Sequence, residues 1–109
     1  MNPQKSVDFM IENANAYAQA EANKTYLEEY RKTIKAEEMR SAELAGHKTA
    51  AMQEREAYSS PRYKAHLEAL KEAVEQRERL RWLLIAAQER IGVWRSQNAS
   101  NRTIEKMTL

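Results

Sequence analysis

Apolar side chains recur in the first half of the chain at intervals of three and four residues. This is the spacing of one face of an α-helix. The stripe resumes after a short gap and predicts one long helix. Its members are Val7, Met10, Ile11, Ala14, Tyr17 and Ala18, followed by Tyr26, Leu27, Tyr30, Ile34 and Met39.

A second stripe follows in the other half of the chain, with the alternating steps of three and four that are typical of coiled coils. Between residues 80 and 94 the apolar surface widens beyond one face. A helix that is apolar on so much of its circumference is covered on more than one side. The stripe consists of Tyr63, Leu67, Leu70, Val74, Arg77, Leu80, Leu84, Ala87, Ile91 and Trp94.

Two signals divide these stripes. Ser60 before Pro61 predicts a helix start, since serine caps helices and proline is tolerated at the first helical position. Gly46 is the other predicted break. We therefore expect one domain with helix one at about 6–45, a turn region at 46–60, helix two at about 61–97 and a short turn or helix at 102–108. Within the turn region, the stretch 48–58 is rich in alanine and glutamate and could extend either helix or form a short helix of its own.

The predicted fold is all-α, a long helical hairpin that assembles into a homo-oligomer, with a ring as the expected form. Only two glycines and two prolines interrupt the 109 residues, and no alternating strand pattern occurs. Two helices, each about 60 Å long and paired in a hairpin, would leave part of the broad apolar stripe exposed. Exposed apolar patches usually mark interfaces. The predicted subunit contacts are Leu80, Trp82, Leu84, Ile91 and Trp94.

Composition limits the possible locations and functions. The chain has 18 basic and 16 acidic side chains, a net charge of +2, and no cysteine for disulfides or thiolate metal sites. Its longest apolar run, residues 82–87, is shorter than the roughly 18 residues of a membrane span. We expect a cytoplasmic protein of a bacterium or a phage-infected cell, without a membrane partner.

Catalytic chemistry has little support. His47 and His66, the only histidines, lie in different segments without metal-ligand spacing, and no glycine-rich phosphate loop is present. We predict no enzyme activity, no catalytic residues, no metal and no cofactor. A small ligand held between helices of an enzyme subunit is a weaker hypothesis, because subunit packing explains the wide apolar surface better.

Basic and aromatic residues alternate around the predicted turn. Cations that contact phosphates beside rings that stack on bases are what single-strand binding requires. The alternative is that these are ordinary solubilising charges. The predicted nucleic-acid contacts are Lys48, Arg55, Tyr58, Arg62 and Lys64, near Tyr63, while Arg31, Lys32 and Lys35 form a second basic cluster.

These features resemble the UvsY-type recombination mediator proteins of tailed phages, over roughly residues 14–107. The matching positions are Glu21-Ala22-Asn23, Tyr26-Leu27, the basic stretch 31–35, residues 77–84 with Trp82, Arg95-Ser96, and residues 104–107.

The family's basic segment, Lys-x-Ala-Arg-x-x-Tyr-Tyr-Ser-Gly, corresponds to the stretch that contains Lys48, Arg55, Tyr58 and Ser60. This chain departs from it at four positions, which weakens the local positive charge. Gln53 and Glu54 precede the arginine, Ser59 replaces the second tyrosine and Pro61 replaces the glycine.

The resemblance implies a ring-forming, non-catalytic protein that binds single-stranded DNA. It would contact a RecA-like recombinase of the phage or host and a single-strand binding protein, and would help the first replace the second. The competing interpretation is a helical adaptor or coiled-coil module that binds only proteins, which the nearly balanced charge favours.

Overall fold

The structure, a computed structural model, describes residues 2–108. This part of the chain is 93% helical and contains no strand. Its three helices are α1 (Gln4–Leu44), α2 (Ala50–Ser59) and α3 (Pro61–Thr108). The all-α prediction is confirmed.

Gly46 ends α1 through a Schellman motif. Its φ of +107° lies in the region that residues with a Cβ rarely adopt. The amide of His47 donates to the carbonyl of Ala42 at 3.0 Å, and the amide of Gly46 donates to that of Glu43 at 3.1 Å. These two bonds satisfy carbonyls that the helix end would otherwise leave free.

Replacing each of the two glycines with alanine is expected to change stability in opposite directions. Gly46→Ala forces a Cβ into the left-handed region and is expected to cost about 1–2 kcal/mol of unfolding free energy. Gly92→Ala, in the interior of α3 with no atom within 4 Å of the added Cβ, is expected to stabilise by up to about 1 kcal/mol. Urea unfolding followed by circular dichroism measures both. Equal effects of the two changes would contradict this account of the α1 end.

The predicted turn region, 46–60, contains a helix of ten residues, α2. Thr49 caps it, because the Thr49 hydroxyl accepts a hydrogen bond from the amide of Met52 at 3.2 Å. The Gln53 side chain donates to the carbonyl of His47 at 3.0 Å and holds the link against the helix. Of the alternatives that the sequence leaves open for 48–58, the structure shows a short separate helix, which good helix formers make possible.

Ser60 ends α2 and begins α3. Its hydroxyl donates to the carbonyl of Ala57 at 2.9 Å and accepts from the amide of Tyr63 at 3.1 Å. Pro61 then occupies the first position of α3, where no amide hydrogen is needed. The Ser-Pro pair therefore starts a helix where the sequence predicts one.

The end of α3 differs from the prediction. We expected helix two to end near residue 97 and a separate short turn or helix at 102–108, but α3 continues without a break to Thr108. Asparagine and serine cost a helix only some tenths of a kcal/mol each relative to alanine, and no glycine or proline follows Gly92. In residues 95–108 every side chain except Asn98 is exposed.

The described residues form two compact units. The first unit contains residues 2–18, which include the start of α1, and residues 78–108 of α3. Lys5 and Phe9 line one cleft with Leu83 and Arg90, and Met10 and Tyr17 line another with Leu84 and Gln88, so the two helical segments are antiparallel. The buried apolar side chains of this unit include Leu80 and Ala87.

The second unit, Gln19–Arg77, contains the remainder of α1, all of α2 and the start of α3. Its α1 and α3 segments are antiparallel too, since Arg77 binds Glu21 while Arg62 binds Glu37. Its buried apolar side chains are Ala20, Ile34, Ala42, Ala57 and Ala73.

The buried face of α3 differs slightly from the predicted stripe. His66 is buried and its Nε2 lies 2.7 Å from the Leu27 carbonyl oxygen, whereas the predicted Leu67 is 40% exposed. Ile11 and Tyr26 of the α1 stripe are exposed as well. The polar His66 can be buried next to the predicted position because its ring nitrogen has a backbone hydrogen-bond partner there.

No helix among residues 2–108 is both long enough and apolar enough to cross a membrane.

Candidate nucleic-acid interface

Three basic side chains of α1 meet two tyrosines at a shallow cleft in the second unit. Arg31, Lys32 and Lys35 lie within five residues on α1, so consecutive turns of the helix carry positive charge. Tyr58 comes from α2 and Tyr63 from α3, and the five side chains line a cleft of about 350 Å³. We call these five residues the basic-aromatic cleft.

The two tyrosine rings pack edge to face. Their centroids are 5.2 Å apart and the ring planes make an angle of 70°. Tyr58 is 44% exposed, so one part of its surface remains open. The Lys35 ammonium lies 4.8 Å from the centroid of the Tyr58 ring, within the range of a cation–π interaction. A positive charge therefore stands beside an accessible aromatic ring.

Lys35 is held in place from α2. Its Nζ donates to a Glu54 carboxylate oxygen at 3.3 Å. Its hydrogen bonds with Tyr58 and Glu54 raise the pKa of Lys35 above the ordinary lysine value. The amine is fully charged at neutral pH. The stability that its hydrogen bonds give the folded state is lost only as the pH rises through that raised pKa.

Arg62 already binds two carboxylates. Its guanidinium donates to a Glu37 oxygen at 2.5 Å and lies 3.8 Å from one of Glu38. The hydrogen bond with Glu37 raises the pKa of Arg62 above its ordinary value. The predicted phosphate contact at Arg62 would have to compete with α1 for this side chain.

The other predicted contacts are exposed but lie outside the lining of the basic-aromatic cleft. Lys48 is in the link between α1 and α2, and Lys64 is in the first turn of α3. Arg55 lies on α2 one turn before Tyr58, and its carbonyl accepts a hydrogen bond from the Ser59 hydroxyl at 2.9 Å. Of the five predicted residues, Tyr58 alone lines the cleft.

The sequence predicts Tyr58 as a contact and Arg31, Lys32 and Lys35 as a basic cluster, but it does not predict that they meet. The contact is made by α2, which brings Tyr58 back against α1 together with Glu54, a residue 19 positions from Lys35 in the sequence. Ala57 of α2, next to Tyr58 in the sequence, is fully buried. A turn predicted at 46–60 gives no indication that Tyr58 lies beside Lys35.

The predicted subunit contacts fall into two groups. Leu80 is only 8% exposed, and Leu84, Ile91 and Trp94 are half-buried, so their own chain covers much of this stripe. Trp82 is 60% exposed, with the Arg81 guanidinium 5.2 Å from its ring.

Further large apolar side chains of α3 are exposed within the first unit. They are Leu83, Val93, Ile104 and Met107. The wide apolar surface predicted at residues 80–94 is thus covered on one side by α1 and open on others.

Within residues 2–108, no group of three or more histidine or acidic side chains is arranged to hold a metal ion. The hydrogen bond of His66 to the Leu27 carbonyl gives that histidine a structural role between two helices. Comparison of the chain with protein-family models, with curated proteins and with solved structures yields no match. The resemblance to UvsY-type mediators remains a prediction.

Proposed function

We propose that this protein is a non-enzymatic recombination mediator that binds single-stranded DNA as a homo-oligomer. The observation that carries the proposal is the basic-aromatic cleft, in which Lys35 and its two basic neighbours on α1 stand beside Tyr58 and Tyr63. Charge beside accessible rings supports binding of any single strand, since every base offers a face for stacking and every nucleotide a phosphate.

Oligomerisation would provide the affinity that one cleft lacks. Lys35 is engaged with Glu54 and Lys32 with Glu29 at 3.1 Å, so each subunit offers only a few weak phosphate contacts. Repeating the cleft in a homo-oligomer, which we expect to be a ring, would sum these contacts along one strand. The predicted contacts at Lys48, Arg55 and Lys64 would extend the path of the strand beyond the cleft.

The surface offered to other subunits would be the open side of α3. Leu80 is covered by its own chain, which shifts the proposed interface toward exposed side chains such as Trp82 and Val93. An exposed apolar surface of this kind is typical of an interaction site.

The mediator role adds two protein partners. Following the resemblance, the DNA-bound oligomer would contact a RecA-like recombinase and a single-strand binding protein, and would help the recombinase take the strand. No cofactor is required, because the proposed work is done by binding alone.

Fluorescence anisotropy of a labelled oligo-dT tests the DNA proposal, on protein whose mass is fixed by light scattering. We expect an oligomer that binds the strand and loses affinity steeply as salt rises, because phosphate contacts release counterions. An oligomer that ignores the strand even at low salt would refute the mediator proposal.

A protein-only adaptor is the second candidate. The pairing of Arg62 and Lys35 with carboxylates favours it, because these contacts neutralise cations that DNA would need. This candidate predicts self-association without salt-dependent DNA binding, so the same titration separates the two.

A further inference from the structure

A second cleft, of different chemistry, lies between α1 and α3 in the first unit. Lys5 and Phe9 of α1 and Leu83, Ala87 and Arg90 of α3 line its volume of about 210 Å³. Successive turns of each helix contribute these residues, so the cleft is fixed by helical packing rather than by a loop.

The floor of this cleft is mainly apolar, and the buried Ser6 is its one polar residue. Ala87 is buried and Phe9 is half-buried, while Leu83 remains 47% exposed at the edge. A cavity of about 150 Å³ is enough to hold a benzene ring, so the cleft has room for an apolar side chain. Filling it would remove part of the exposed surface of Leu83 from water.

The rim is positive on both sides. Lys5 and Arg90 come from opposite helices and are exposed, and within residues 2–108 neither is bound by a carboxylate. Asp8, the acidic residue one turn from Lys5, accepts a hydrogen bond from the Gln4 side chain at 2.8 Å. The two cations are therefore available to carboxylates from another molecule.

We propose that this cleft, here called the acidic-peptide cleft, binds an acidic segment of a partner protein that also carries an apolar side chain. The apolar side chain fills the space over Phe9 and Leu83, and flanking carboxylates contact Lys5 and Arg90. A nucleic-acid backbone would use the two cations but leave the apolar floor uncovered. The acidic segment satisfies both features, which is why we assign it as the occupant.

The proposal extends beyond DNA binding, since none of its residues belongs to the basic-aromatic cleft. The direct probe is a fluorescein-labelled peptide of four aspartates followed by two leucines, titrated with the full chain. One control peptide replaces the leucines with serines, and another replaces the aspartates with lysines. Lys5→Gln combined with Arg90→Gln is the test variant. Arg102→Gln combined with Lys106→Gln, which removes one arginine and one lysine from exposed positions further along α3, is the matched control.

We expect the aspartate-leucine peptide to bind at least about tenfold more tightly than either control peptide. The double variant should lose about tenfold in affinity, and the Arg102→Gln, Lys106→Gln control should bind as wild type does. Absence of binding, equal binding of the serine peptide or an unchanged double variant would each overturn the proposal.

Two further outcomes would assign the cleft to another occupant and overturn the proposal too. Displacement of the peptide by oligo-dT, together with loss of DNA binding in the double variant, would make it a nucleic-acid site. A fall in oligomer mass in the double variant, measured by light scattering, would make it a subunit interface.

Discussion

Replacing Leu80 with alanine is expected to lower the unfolding free energy by about 3 kcal/mol. The side chain is 8% exposed in its own chain, and truncating a buried leucine removes apolar contacts and leaves a cavity. Against the 5–15 kcal/mol that stabilises a typical domain, such a loss is large. Thermal and urea unfolding, followed by circular dichroism at several protein concentrations, measure it.

Trp82→Ala is the matched change on the open side of α3. Because Trp82 is 60% exposed, its removal should change the stability of the separate chain by less than about 0.5 kcal/mol. If this face joins subunits, the same change should weaken self-association by about tenfold or more, since buried aromatic side chains dominate interfaces.

The reverse pattern would contradict our assignment of the two faces. In that case Leu80→Ala would lower the oligomer mass without lowering the unfolding midpoint, and Trp82→Ala would unfold the chain.

Removing the three cations of the basic-aromatic cleft is expected to produce the largest functional effect. Arg31→Gln, Lys32→Gln and Lys35→Gln together should lower oligo-dT affinity by about 10- to 100-fold at low salt. The slope of log affinity against log salt concentration should become shallower by about 2, because each of the three lost phosphate contacts contributes roughly 0.7 for a single strand. Anisotropy titrations across a salt series measure both quantities.

The control for this variant removes the same charge elsewhere. Arg40, Lys71 and Arg102 are exposed and lie outside the cleft, so their conversion to glutamine changes net charge equally. We expect the control to retain most of the affinity and slope. Equal losses in both variants would mean that overall charge, rather than the cleft, determines binding.

Helical periodicity and end signals predicted much of the fold. Steps of three and four residues identified the long helices, while Gly46 and the Ser60-Pro61 pair marked where α1 ends and α3 begins. These signals are local: a positive φ needs glycine, and proline fits the first turn of a helix.

The misplaced elements depended on weaker preferences. The polar residues before 102 resemble a helix end in composition, yet each lowers helix propensity only slightly, and α3 continues through them. Gly46 and Pro61 enclose the predicted turn region 46–60, in which a short helix is one of the alternatives. The Thr49 cap and good helix formers favour that alternative, α2.

The candidate site depended on long-range packing that periodicity does not encode. Tyr58 reaches Lys35 only because α2 folds back on α1, where Glu54 binds Lys35 and Ala57 of α2 is fully buried. The sequence predicts Tyr58 as a nucleic-acid contact but places Lys35 in a separate basic cluster. Similarly, the buried position of His66 depends on the Leu27 carbonyl across the helix pair.

Photocross-linking of a single strand that contains 5-iodo-deoxyuridine, followed by peptide mapping on the full chain, tests the central claim most directly. If the strand crosses the basic-aromatic cleft, cross-links should map to Tyr58 or Tyr63, whose rings lie 5.2 Å apart, and should fall when Arg31, Lys32 and Lys35 are neutralised. Cross-links confined to other parts of the chain, or unaffected by those substitutions, would contradict the proposed site.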